Sequence, residues 1–257
     1  MLKIWGRLNS INVMKVMWCV EELGIEHERV DAGMKHGVVG ENFFAKLNPN
    51  RRVPTIEDDG LVLWESNVIV RYLSAKYGSG SLSPVDIGER ALADQWRDWQ
   101  QTTVHPDLTF IFWAVVRDLK ENQDPEKLAA AGARLEKVWQ LVDDRLSDRD
   151  FLCGDHITMA DIPLGAAVWR WYNMAIERPN LANVEAWHER LKQRRRGGAH
   201  DRGSARLLRQ LEQSRSGACT LGGTGVERRS VMRSVTPRLA VPPIERRRSP
   251  FGSLFRV

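Results

Sequence analysis

The sequence predicts an α+β protein, with an N-terminal βαβαββα unit followed by an all-α domain. Three observations carry this. β-type runs and helical stripes alternate over the first 78 residues. An Asp59-Gly60 pair separates two short apolar runs, a strong hairpin signal. Beyond a Gly- and Ser-rich stretch starting at Gly78, the strand pattern stops and only helical periodicity continues.

Residues 2–6 (LKIWG) read as a strand. From Asn12 to Leu23 the apolar residues Val13, Val16, Met17, Val20 and Leu23 share one helical face, and Gly24 suits the position after the helix end. Residues 27–31 form a second strand, parallel to the first if the helix is a crossover. A short helix over 41–47 is stopped by Asn48-Pro49-Asn50. The hairpin pairs 55–58 with 61–64. A helix over 66–77 carries Val68, Ile69, Tyr72 and Leu73 as its stripe. Residues 1–78 are therefore one domain and 79–86 a linker. Residues 87–194 form the helical domain, with helices expected over 87–120 (one or two), 125–146, 158–174 and 184–193.

Composition bounds the class. The chain has 257 residues, 42% hydrophobic and 28% charged, as in ordinary globular proteins. No apolar run approaches the ~18–20 residues of a membrane span, and the first residues lack a signal-peptide pattern. Three scattered cysteines exclude a disulfide framework or a Cys-rich metal site, so a reducing cytoplasmic setting is expected. The net charge of +5 is unevenly distributed. Residues 1–194 hold 24 Lys+Arg against 29 Asp+Glu, whereas 195–257 hold 14 Arg, no Lys and 4 acids. All 10 Trp precede residue 188. The tail shows no sustained periodicity. It reads as an arginine arm for nucleic acid or an acidic membrane, or as disordered or out-of-frame sequence. The second reading is adopted, because Arg, Gly, Ser and Pro without Lys is what a shifted frame in GC-rich DNA yields. The body therefore is not expected to bind nucleic acid or membrane.

Four motifs occur in a telling order. They are Ser10-x-Asn12-x-x-Lys15, Asn48-Pro49-Asn50-Arg51-Arg52-Val53-Pro54, Leu63-Trp64-Glu65-Ser66-Asn67 and Ile157-Thr158-Met159-Ala160-Asp161-Ile162. Together they resemble the glutathione S-transferase superfamily, of the bacterial type with a Ser/Asn active site. The resemblance runs from residue 2 to about 194. It implies a thioredoxin-like N-terminal domain, a helical second domain, a homodimer, and glutathione as co-substrate.

By this resemblance Val53-Pro54 is expected to be cis, turning the Val53 amide and carbonyl toward the extended backbone of glutathione, as in strand addition. Glu65 and Ser66 stand where a strand meets a helix N-terminus, which accommodates a carboxylate. The Ser66 hydroxyl and amide would take the γ-glutamyl carboxylate and Glu65 the ammonium, with Asn67 in support. Ser66 would otherwise be a plain helix cap. Arg52 would meet the glycyl end. Arg51 departs from the family, which usually has Gly there.

The chemistry requires a thiolate, yet a free thiol has pKa ~8.5. Ser10 or Asn12, just before the first helix, can donate the hydrogen bond that favours the anion, unless it only caps the helix. Sequence leaves the choice open. With no Tyr before Tyr72, a Tyr-type site is excluded. Cys19 reads as a small core residue, and no C-x-x-C occurs. Thr158 to Asp161 reads as a capping box. Phe110, Trp113, Trp169 and Trp171 read more as core than as a co-substrate pocket, and His105 reads as structural rather than as a polar handle there.

The expected function is a cytoplasmic glutathione transferase acting on small hydrophobic electrophiles in detoxification, without a metal. The alternatives are a glutathione-dependent disulfide reductase or peroxidase, and a non-catalytic interaction module of transferase-like fold.

Overall fold

The computed structural model describes residues 1–193. The expectations for the tail at 195–257 lie outside the described residues.

The N-terminal unit is a four-stranded sheet with helices on it. Strands β1 (Leu2–Trp5), β2 (His27–Val30), β3 (Thr55–Asp58) and β4 (Leu61–Trp64) lie in the order β2-β1-β3-β4. β1 and β2 are parallel, as the crossover helix α1 (Ile11–Glu22) requires. β3 is antiparallel to both β1 and β4. The Asp59-Gly60 turn has positive φ at both residues, 49° and 84°, the backbone that favours Gly and Asp in tight hairpins. Gly24 follows α1 with φ 63°.

Two short segments complete the unit. They are α2 (Asn42–Leu47) and α3 (Ser66–Tyr77). A 3₁₀ turn at Met34–His36, which no periodicity announced, precedes α2. The linker is pinned rather than loose. Leu82 and Ser83 are buried, and the Met159 amide donates to the Leu82 carbonyl at 2.8 Å.

The helical unit comprises α4 (Ile87–Trp99), α5 (His105–Val115), α6 (Pro125–Arg145), α7 (Asp161–Tyr172) and α8 (Ala182–Gln193). The stretch expected as one or two helices over 87–120 is α4 and α5 joined by a π-helical segment at Gln100–Val104, followed by a 3₁₀ turn at Lys120–Asn122. Asp86 caps α4 by accepting from the Glu89 amide, and Asp124 caps α6 by accepting from the Glu126 and Lys127 amides. The Thr158 motif keeps the return arm of the expected capping box, while its threonine side chain reaches the amide two residues on rather than three. Asp161 Oδ2 accepts from the Thr158 amide at 2.9 Å, while Thr158 Oγ1 accepts from the Ala160 amide at 3.3 Å. Regular helix starts only at Asp161, three residues later than the stripe suggested.

α1 lies at the centre. It packs on α3 on one side and on α7 on the other, so Ile11 and every residue from Val13 to Val20 are buried. The close approach to α7 depends on Gly165, where a Cβ would stand 2.8 Å from the Trp18 ring. One continuous hydrophobic cluster therefore joins the sheet unit to the helices.

Candidate functional site

The sheet register collects the sequence motifs at one end. Trp5 pairs with Thr55, and Thr55 with Trp64. Gly6 and Arg7, Pro54, and Glu65 therefore follow or precede these residues at the same sheet end. The loop before β3 is shaped by Asn48, whose Nδ2 donates to the Arg52 carbonyl (2.9 Å) and Thr55 Oγ1 (3.0 Å). Its Oδ1 accepts from the Asn50 amide at 2.9 Å. Val53-Pro54 is cis, and neither residue joins the ladder of β3, which starts at Thr55.

Arg51 has φ 50°, the left-handed backbone in which glycine is most at ease. The departure from the family residue thus carries a conformational cost and a contact. Its guanidinium donates to the carbonyls of Val39, Gly40 and Glu41, closing the loop ahead of α2. Arg51 is a strut of that loop, whereas Arg52 is exposed beside it.

A cavity of about 360 Å³ opens here. From the sheet unit it is lined by Arg7, Ser10, Asn12, Gly33, Arg51, Arg52 and Val53. From the helical unit it is lined by His105, Thr109, Phe112, Trp113, Arg117 and Arg170. The backbone of Ser10 caps α1, but its side chain makes no capping hydrogen bond. The hydroxyl is thus left for the cavity, at the positive end of a helix. Asn12 also lines the cavity, and its Oδ1 is buried without a hydrogen-bond partner.

Glu65, Ser66 and Asn67 stand at the start of α3, outside the lining of this cavity. Glu65 is held at φ 72°, a strained backbone for a side chain of this size, and its carboxylate caps nothing. Ser66 is buried. Asn67 is committed to the framework. Its Oδ1 accepts from Lys15 Nζ at 3.3 Å, its Nδ2 donates to the Arg97 carbonyl at 2.8 Å, and its own carbonyl accepts from the Arg97 guanidinium. Asn67 thereby ties the start of α3 to α1 and α4.

Lys15 is wholly buried and also donates to Gln101 Oε1 at 3.2 Å. Burial, then the nearby Arg170 and Arg97, push its ammonium down to about 7, against the pull of Glu65. The unfolded chain holds this proton to about pH 10.4. Between these values the unfolded state binds more protons, so stability rises with pH. Urea midpoints should climb between about pH 7 and 9, with a slope approaching ~1.4 kcal/mol per pH unit. Lys15→Met should flatten that slope.

Other groups are quiet. Burial pushes Cys19 up to about 12, so its thiol stays protonated in the core beside Ser74 and Val70. Burial and the Lys15 and Arg170 charges bring His105 down to about 4, so the ring facing the cavity is neutral at pH 7. Of the aromatic candidates only Trp113 lines the cavity. Trp171 is core, and Phe110 and Trp169 pack against it. Phe112, Arg7, Arg117 and Arg170 line the cavity and had no sequence signal, because nothing local marks an arginine as inward-facing.

Comparisons with known proteins identify the family. Residues 1–75 match the glutathione S-transferase N-terminal domain and residues 125–190 the C-terminal domain. The chain belongs to the glutathione S-transferase family. It is similar to the glutathione S-transferase GstB of Escherichia coli strain K12, with 33% identity over 196 residues, covering 76% of this chain and 94% of that protein. Rat glutathione S-transferase theta-1 is 39% identical over 124 residues, 46% of this chain and 52% of that one. Among solved structures, the theta class glutathione S-transferase of Xanthomonas axonopodis pv. citri, crystallised with glutathione bound, superposes with a TM-score of 0.71 and 41% identity. That match covers 75% of this chain and 93% of that one. The family match answers to the α+β architecture read from the sequence, a sheet unit followed by helices. Among the described residues no helix is long and apolar enough to cross a membrane.

Proposed function

We propose that this chain is a glutathione transferase, in which Ser10 stabilises the glutathione thiolate for attack on an electrophilic carbon. One observation carries the reading. A serine at a helix N-terminus, with its hydroxyl unspent, lines the same cavity as Arg52 and Val53. In this arrangement the Val53 backbone pairs with the cysteinyl unit of glutathione and Arg52 meets the glycyl carboxylate. Ser66, at the N-terminus of α3, takes the γ-glutamyl carboxylate and Glu65 its ammonium. Asn12 supports the sulfur from the other side. The chemistry is positioning plus stabilisation of developing charge. The family relatives support glutathione as the co-substrate.

Calorimetric titration with glutathione tests the binding half, with one saturable site per chain expected. Glu65→Gln and Ser66→Ala should each raise Kd about tenfold, the loss of one hydrogen bond to a charged group. Unchanged binding in both would place the tripeptide elsewhere. Turnover of a chloroaromatic substrate in preference to a glutathione mixed disulfide would separate conjugation from the reductase alternative.

A homodimer is part of this reading. Leu61, Trp64 and Val68 are exposed apolar side chains on neighbouring β4 and α3, the kind of surface that a second copy covers. Sedimentation equilibrium reads the mass directly. The expected setting is cytoplasmic, where conjugation removes reactive electrophiles and where Cys19 and Cys153 remain free thiols.

A further inference from the structure

Among the described residues the cavity is lined by five arginines and by no carboxylate. Arg51 is spent on backbone carbonyls and Arg52 is exposed. The other three, Arg7 after β1, Arg117 after α5 and Arg170 on α7, converge on the side formed by the helical unit. Among the described residues none of the three has an ion pair, and the Nε of each is buried without a hydrogen-bond partner. Arg170 is buried, its guanidinium 4.0 Å from the centre of the Phe112 ring, with Arg117 at 5.5 Å from the same ring. Burial, then mutual repulsion, lowers the affinity of Arg170 and Arg7 for their protons, to about 9 for Arg170. Three neighbouring cations, Arg170 buried and Arg7 and Arg117 half-buried, are costly where no counter-charge among the described residues meets them. A bound anion relieves that cost and accepts the unspent donors.

We propose that Arg7, Arg117 and Arg170 bind an oxyanion on the second substrate, so that the enzyme acts on electrophiles carrying a carboxylate or similar acid group against an aromatic wall. This rests on the transferase reading and specifies its second substrate. The carboxylates of glutathione are already placed in that reading, one at Arg52 and one at the start of α3, so the three arginines remain for another anion. Phe112 and Trp113 line the same side and suit an apolar body between the acid group and the reacting carbon. With an arylmethyl chloride, the glutathione sulfur forms a bond to the benzylic carbon as the carbon–chlorine bond breaks. Chloride leaves with the bonding pair, and the thiol proton has gone to water.

The test uses the full chain and a matched pair, 4-(chloromethyl)benzoate and 4-(chloromethyl)benzamide. The acid should be turned over with the higher kcat/KM. The acid-over-amide ratio should fall about 10- to 100-fold in Arg117→Met, and be partly restored in Arg117→Lys. A binding arm is independent of chemistry. 4-Methylbenzoate should bind, and 4-methylbenzamide should not, in calorimetry with saturating S-methylglutathione. Arg117→Met should keep its melting temperature, since it removes repulsion, but lose the benzoate-induced rise. An equal preference for acid and amide in both arms would overturn the proposal. So would displacement of 4-methylbenzoate by S-methylglutathione, which would assign the arginines to the tripeptide itself. Benzoate binding beside S-methylglutathione with no conjugation of either chloride would uphold the anion site and sink the transferase reading instead.

Discussion

Ser10→Ala should lower kcat/KM for conjugation about 10- to 100-fold at pH 7, the worth of one hydrogen bond to a charged group. The reason is a shift in ionisation. A donor to the thiolate depresses the thiol pKa, so its removal returns that pKa toward ~8.5. At pH 7 the thiolate fraction falls by roughly tenfold per unit. Above pH 9 the variant should recover most of its rate, because the thiol ionises without help. The pH dependence of kcat/KM would therefore move to higher pH in the variant, while glutathione affinity changes little. Asn12→Ala should produce a smaller shift, since its Oδ1 accepts rather than donates and only its Nδ2 can assist. If Ser10→Ala leaves the pH profile in place and Asn12→Ala moves it, Asn12 is the donor and Ser10 only starts the helix.

Asp161→Ala should lower stability by about 3–5 kcal/mol, because it removes the shared acceptor of several buried donors. Asp161 is fully buried at the start of α7. It accepts from the Leu152 amide (3.0 Å), the Thr158 amide (2.9 Å) and hydroxyl (3.3 Å), and Trp187 Nε1 (3.1 Å). Burial pushes its carboxyl up to about 6 while these donors pull the other way, so it is ionised at pH 7. Alanine leaves four donors without an acceptor in the interior, each costing about 1–3 kcal/mol less whatever relaxation recovers. The variant should melt about 6–20 °C below the parent, at ~2–4 °C per kcal/mol for a chain of this size. Asp161→Asn keeps the shape and one acceptor, and should fall between the two. A melting temperature unchanged in Asp161→Ala would mean that the box does not anchor α7.

Much of the fold was legible because its signals are local. The hairpin needed only Asp59-Gly60 between apolar runs, and its strand bounds at 55–58 and 61–64 match the structure. α3 likewise runs from Ser66 to Tyr77 as its stripe required. Boundaries slipped where a cap or a tertiary partner sets them. Glu41 is the cap of α2 rather than its first residue, and α7 waits for Asp161. One or two helices were expected over 87–120, and the place of the break between α4 and α5 was not legible, because a π-helical segment keeps the helical hydropathy pattern while changing its hydrogen bonds.

The sequence by itself determined the order of elements, the family, and which motifs gather at one end of the sheet. These follow from turn chemistry, period and motif spacing, which act over a few residues. Only the tertiary structure decided which polar groups are spent and which are free. It showed Arg51 as a strut, Asn67 as part of the Lys15–Arg97 framework, and Ser10 with its hydroxyl available. It also brought Arg7, Arg117 and Arg170 to one cavity from three distant segments. Arginine is equally at home on a solvated surface and in a buried site, so only packing between elements reveals which it is.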